Sequence, residues 1–164
     1  MKIKILISLL AVSIVGYSQQ AQPTPAPAAD YGAPIGLEAA KKIAAGAEAY
    51  AKDKKWPVAI VIVDSGSNLV LLHKVDNTQI GSIDVAIGKA RTANNFKRST
   101  KVFEDAVAGG GIGVRVVTLP NAVTIDGGEP ILIDGKIVGA IGVSGVQASQ
   151  DAEVAKAGIA SLNK

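Results

Sequence analysis

Pro130-Ile131-Leu132-Ile133-Asp134-Gly135-Lys136-Ile137-Val138-Gly139-Ala140-Ile141-Gly142-Val143 reads as two strands joined by a two-residue turn. Asp-Gly between β-branched runs is a strong hairpin signal, because both residues tolerate the left-handed backbone that the turn requires. A hairpin makes its two strands antiparallel, so this stretch sets the class of sheet. Toward the N-terminus, Val58 to Val63 is a continuous, mostly β-branched run, as expected of a strand covered on both faces. Asp64-Ser65-Gly66-Ser67-Asn68 forms a turn, and Leu69 to Val75 returns as the second arm of another hairpin. Arg115 to Leu119 and Ala122 to Ile125 are further expected strands, preceded by a loop over Gly109 to Gly113.

Helical periodicity fills the gaps. Leu37, Ala40, Ala44, Ala47 and Ala51 share one stripe of a helix over Leu37 to Lys54, which ends before Pro57 because proline disfavours helical geometry in its predecessor. Gln79 to Asn95 repeats the pattern through Ile80, Ile83, Ile87 and Ala90, with Ser82, Ala86 and Gly88 small enough for tight packing. A short helix is expected over Lys101 to Val107. Ser149 can cap a last helix, with Asp151 and Glu153 at its positive end and Val154, Ala155, Gly158, Ile159 and Leu162 as its stripe. Strands linked by hairpins rather than helical crossovers predict an α+β fold: an antiparallel sheet with helices packed against it.

The chain has 164 residues, one histidine and no cysteine. Disulfides, cysteine-based metal centres and thiol nucleophiles are therefore excluded. Met1 to Ser18 reads as a secretory signal peptide: basic Lys2 and Lys4, an apolar run from Ile5 to Val15, then small residues. Its cleavage would remove two cations and no acid, lowering the formal charge from +3 to +1. The expected location is periplasmic or secreted, with no stable membrane anchor after cleavage. Near-neutral charge without a basic stripe leaves no footprint for nucleic acid. Residues 19–35, rich in Gln, Ala and Pro, read as a linker, and residues 36–164 as the domain.

His73 is the chain's only imidazole. On an extended strand it shares a face with Leu69, Leu71 and Val75, where it either bonds a neighbour or contacts a ligand. If a metal macrocycle binds, His73 is the first axial candidate, with Tyr31 and Tyr50 as the other common haem ligands. Lys89, Arg91, Lys97 and Arg98 offer cations for anionic side groups, or else form a solvated helix face. Gly139, Gly142 and Gly145 recur every third residue, which fits close approach of a helix or subunit, or a backbone surface for a flat ligand. Ser144 lies one residue short of a Gly-x-Ser-x-Gly elbow, and the spacing of His73, Asp64 and Asp126 supports no triad around it. Asp64, Asp76, Asp126 and Asp134 sit beside turns, where carboxylates bond nearby backbone N–H groups. Neither phosphate-binding glycine motif is present.

Several segments together resemble the GlcG/HbpS family of small haem-binding and haem-degrading proteins, which includes the C-terminal domain of PduO-type corrinoid adenosyltransferases. They are Val63 to Val70, Asp76, Ser82, Ala86, Lys89-Ala90, Thr92-Ala93, Gly127-Gly128-Glu129-Pro130-Ile131, Gly135 to Gly145, and Asp151 with Ala155. The resemblance spans Gly36 to Leu162. It implies a profilin-like fold, homo-oligomers and, for exported members, haem binding. The resemblance fixes no ligand set, and the ligand surface expected from the residues themselves combines His73 as iron ligand with Lys89, Arg91, Gly139, Gly142 and Ser144. The Glu-x-x-Glu iron-binding pair of some exported relatives is absent from this sequence. The alternative expectation is an accessory enzyme or carrier for a small organic acid or corrinoid-like ligand, with Asp64, Asp126 and Ser144 near a subunit interface.

Overall fold

The computed structural model describes residues 28–163, so the signal-peptide segment and most of the linker lie outside the described residues. Alanines spaced along α1 (Leu37–Lys54) bury Ala40, Ala44, Ala47 and Ala51 together with Ile43. The helix stops at Lys55, whose φ of 59° is left-handed, and the Trp56 N–H reaches back to the Ala51 carbonyl. β1 (Ala59–Asp64) and β2 (Leu69–Lys74) form the first hairpin, closed by Asp64, whose Oδ1 accepts from the Gly66 and Asn68 N–H groups. Helices α2 (Ser82–Asn95) and α3 (Lys101–Ala108) follow. The second hairpin is β3 (Gly128–Ile133) with β4 (Lys136–Ser144), and α4 (Ala148–Ala160) closes the domain.

The four strands make one antiparallel sheet in the order β2-β1-β4-β3, leaving β2 and β3 as its edges. α1 and α4 cover one face, packing Ile43, Ala47, Val154 and Ala155 with Ile60, Ile62, Ile141 and Val143. α2 covers the other with Ala86, Ala90 and Ala93 against Ala59, Val61, Val63 and Ala140. This three-layer α+β arrangement explains the unbroken apolar run of β1, since its alternate side chains enter two separate cores. Among the described residues no helix is long and apolar enough to cross a membrane.

Three local expectations are corrected. Arg115–Leu119 and Ala122–Ile125 are not strands. Gly111–Thr118 winds as a 3-10 segment after Gly110 and Gly111, which take φ of 67° and 55° and turn the chain away from the sheet. The β-branched residues suggested a strand, but both sheet edges lie elsewhere, and Val123 N–H instead donates to Thr92 Oγ1 on α2 at 2.8 Å. Ser149 does not cap α4: Gln147 does, in a reciprocal box with Gln150. Packing also begins before Gly36, because Tyr31 bridges to Ile137 and the Gly32 and Ile35 N–H groups donate to the Ile137 and Val138 carbonyls of β4.

The glycines of β4 are buried contacts. A Cβ on Gly142 would collide with the Ala86 carbonyl oxygen of α2 and stand 2.5 Å from the Ala90 nitrogen. One on Gly139 would strike the Val63 carbonyl oxygen and lie 3.1 Å from Ile35 Cγ2. Close approach of helix and strand therefore replaces the ligand-surface expectation for Gly139 and Gly142. Gly142→Val should cost at least about 3 kcal/mol in urea unfolding, because the collision is with helix backbone that cannot turn aside.

Candidate functional site

His73 stands on edge strand β2 opposite Ile60, which directs it toward the face that carries α1. There its Nδ1–H donates to Glu48 Oε2 at 2.9 Å, across 25 residues of sequence. The expected apolar surroundings give way to this polar partner, and the side chain is 39% exposed. Glu48 is also gripped by Lys52, whose Nζ lies 2.6 Å from Oε1 one helical turn away. The Lys52 hydrogen bond, reinforced by that of His73 and opposed by burial, holds the Glu48 carboxyl below its ordinary value. Glu48 therefore stays ionised, fixes the ring through Nδ1 and leaves Nε2 as the nitrogen available to a metal.

His73 lines a groove of about 330 Å³ with Glu48, Leu72, Lys74 and Val75. Val75 also walls an adjoining cavity of about 270 Å³, where Trp56 supplies an aromatic surface and Lys52 and Lys55 supply cations. Trp56 is held edge-on to Tyr50, with ring centroids 6.2 Å apart. The α1–β2 rim thus places a fixed imidazole, apolar surface and several ammonium groups side by side. Lys52, Lys55 and Trp56 carried no site signal in the sequence. Glu48 carried none either, because its link to His73 exists only once β2 packs on α1.

The other expected residues are not gathered there. Lys89 is buried inside the domain, donating to Asp151 Oδ2 at 2.8 Å and to the Val143 carbonyl at 3.0 Å. It ties α2 to α4 and is withdrawn from any surface ligand, which corrects its expected role. Burial pushes the Asp151 carboxyl above its ordinary value while Lys89 pulls it back. Ser144 is buried with its Oγ 3.4 Å from Ser82 Oγ, so it offers no exposed hydroxyl. Arg91 reaches the Ser67 carbonyl at 3.4 Å, and α2 lies on the face of the sheet opposite His73. Tyr31 donates to the Asn94 carbonyl at 2.7 Å and Tyr50 to Glu153 Oε2 at 3.0 Å, so both phenols are occupied. Lys97 lies over the Tyr31 ring. The sheet separates the anticipated composite surface into unconnected parts.

On β3, Glu129 accepts from Ser99 Oγ at 3.1 Å and lies 3.5 Å from Lys156, while the neighbouring Asp126 N–H donates to Glu104 Oε2. Desolvation raises the Glu129 pKa above the ordinary 4.5. A carboxyl with a raised folded pKa costs stability once it ionises, so its cost is present above the folded value and vanishes as pH falls toward the unfolded one. Glu129→Gln, which keeps an acceptor for Ser99, should therefore melt higher than the wild type at neutral pH. That advantage should disappear as pH approaches 4, as followed by thermal melts across the acid range.

Layering and site define a small α+β domain with hairpin-linked strands and one histidine–carboxylate pair at the sheet edge. The chain belongs to the HbpS-like family of haem degrading proteins, whose family model matches residues 35–160. It is 40% identical to Protein GlcG of Escherichia coli K12 over 102 residues, 62% of this chain and 74% of that protein. Its fold is similar to a double mutant of HbpS from Streptomyces reticuli, with TM-score 0.73, 29% identity and coverage of 85% of this chain and 99% of the other. It is also similar to the PduOC:heme complex, with TM-score 0.72, 26% identity and coverage of 79% and 96%.

Proposed function

We propose that this chain is an exported, homo-oligomeric haem-binding protein that sequesters or delivers haem, or degrades it slowly with peroxide as the oxidant. Family membership and the haem complex of a structural neighbour support the ligand. The observation that carries the residue assignment is the His73–Glu48 bond, which is the carboxylate–histidine arrangement that orients an imidazole for a metal and raises its basicity. His73 Nε2 would hold the iron, Trp56 and Val75 would pack against the macrocycle, and Lys52, Lys55 and Lys74 would receive its anionic groups. Bound haem supplies the redox-active iron. The chain's residues orient the ligand nitrogen, cover apolar surface and balance charge. Exposed Leu69 on β2, and Leu132 and Ile133 on β3, leave apolar side chains along both sheet edges, which favours self-association.

Titrating the purified protein with haem tests the proposal: a saturable Soret shift at micromolar protein is expected, and its absence would remove haem as the ligand. Glu48→Gln should weaken haem affinity about tenfold while keeping an imidazole-type spectrum, because the ring stays but loses its charged anchor.

A further inference from the structure

A separate concavity shares no lining residue with the His73 groove. It lies where the end of α2, α3 and the 3-10 segment meet, with a volume of about 400 Å³. Phe96 and Phe103 meet edge to face at 5.3 Å in its wall, joined by Val116 and Leu119. Two arginines, Arg98 and Arg115, line the same space. The chain's three arginines are Arg91, Arg98 and Arg115, and among the described residues none is paired with a carboxylate, whereas Lys41, Lys52, Lys89 and Lys101 all are. Arg98 is fixed rather than free to wander: its Nε donates to the Phe96 carbonyl at 3.0 Å and its Cζ lies 5.9 Å from the Phe103 ring centre.

Two like charges without counter-charges on one apolar concavity repel each other, and an anion relieves that repulsion. A guanidinium fork suits a carboxylate, and the aromatic wall suits an apolar body. The geometry points to a second ligand site, for a small apolar carboxylate of about ten non-hydrogen atoms, with Arg98 and Arg115 on the carboxylate and Phe96 and Phe103 against the body. It needs neither iron nor His73, because α2 and His73 lie on opposite faces of the sheet.

The test is an amide-shift titration of the ¹⁵N-labelled full chain with 3-phenylpropionate, using 3-phenylpropionamide as the uncharged isostere. Saturable shifts should fall between Phe96 and Leu119, with a dissociation constant on the order of 0.1–1 mM. The amide should bind at least about tenfold more weakly, and Arg115→Gln, at an exposed position, should weaken the carboxylate by about the same factor. Arg98→Gln gives the second reading with the same expected loss. No saturation, equal binding of the amide, or undiminished binding by both variants would overturn the site. So would shifts confined to the Glu48–Trp56 and Leu72–Val75 segments, which would put the carboxylate in the His73 groove. Shifts that follow protein rather than ligand concentration would also overturn it, by assigning the concavity to a second copy of the chain.

Discussion

Replacing His73 by Ala should lower haem affinity by about 10- to 100-fold and change the iron spectrum, with little loss of stability. The affinity loss follows from removing the only imidazole in the chain from a place where its Nδ1 is already fixed by Glu48. Residual binding should remain, because Trp56, Val75 and the lysines of the rim are untouched by the substitution. Stability should change by no more than about 1 kcal/mol, since the side chain is partly exposed and Glu48 keeps Lys52 as a partner. Added imidazole should restore the wild-type spectrum by filling the space left by the ring. An unchanged spectrum in the variant would move the iron to another group.

Lys89→Met should be the most destabilising of the charge-removing changes, costing about 3–5 kcal/mol in urea unfolding. The Lys89 side chain is 2% exposed and the facing Asp151 side chain 3%, so the variant strands a carboxylate without its cation between α2 and α4. Lowering the pH should recover part of the loss, because burial already pushes Asp151 toward its neutral form and Lys89 no longer opposes it. Replacing Asp151 by Leu in the same chain should restore much of the stability, as expected when a buried ion pair gives way to apolar packing. A double variant no more stable than Lys89→Met would mean that the Lys89 bond to the Val143 carbonyl matters more than the charge balance.

The sheet and its helices were legible because local signals agreed with tertiary packing. Asp134-Gly135 marks the hairpin, with both residues at positive φ, and the alanine stripe of α1 is the surface buried on the sheet. Arg115 to Ile125 misled because its β-branched residues suit a strand locally, whereas Gly110 and Gly111 at positive φ lead the chain into a 3-10 winding that packs on α3. The site was less legible for a different reason. Lys89 looked like any helix-surface cation, and only the depth of α2 against β4 and α4 reveals that it is internal. Glu48 carries no site signal within its own helix, and its bond to His73 depends on a contact between elements far apart in sequence. Arg115, expected on a strand, became half of a cationic rim through the 3-10 turn that replaced it.

A single histidine makes the central claim open to one direct measurement. Labelling the full chain with ¹⁵N-histidine, purified without a histidine tag, places the label in one imidazole only, that of His73. Pulsed paramagnetic resonance of the ferric haem complex should then show hyperfine coupling between the iron and a labelled ring nitrogen. A fully haem-bound sample without that coupling would contradict ligation by His73.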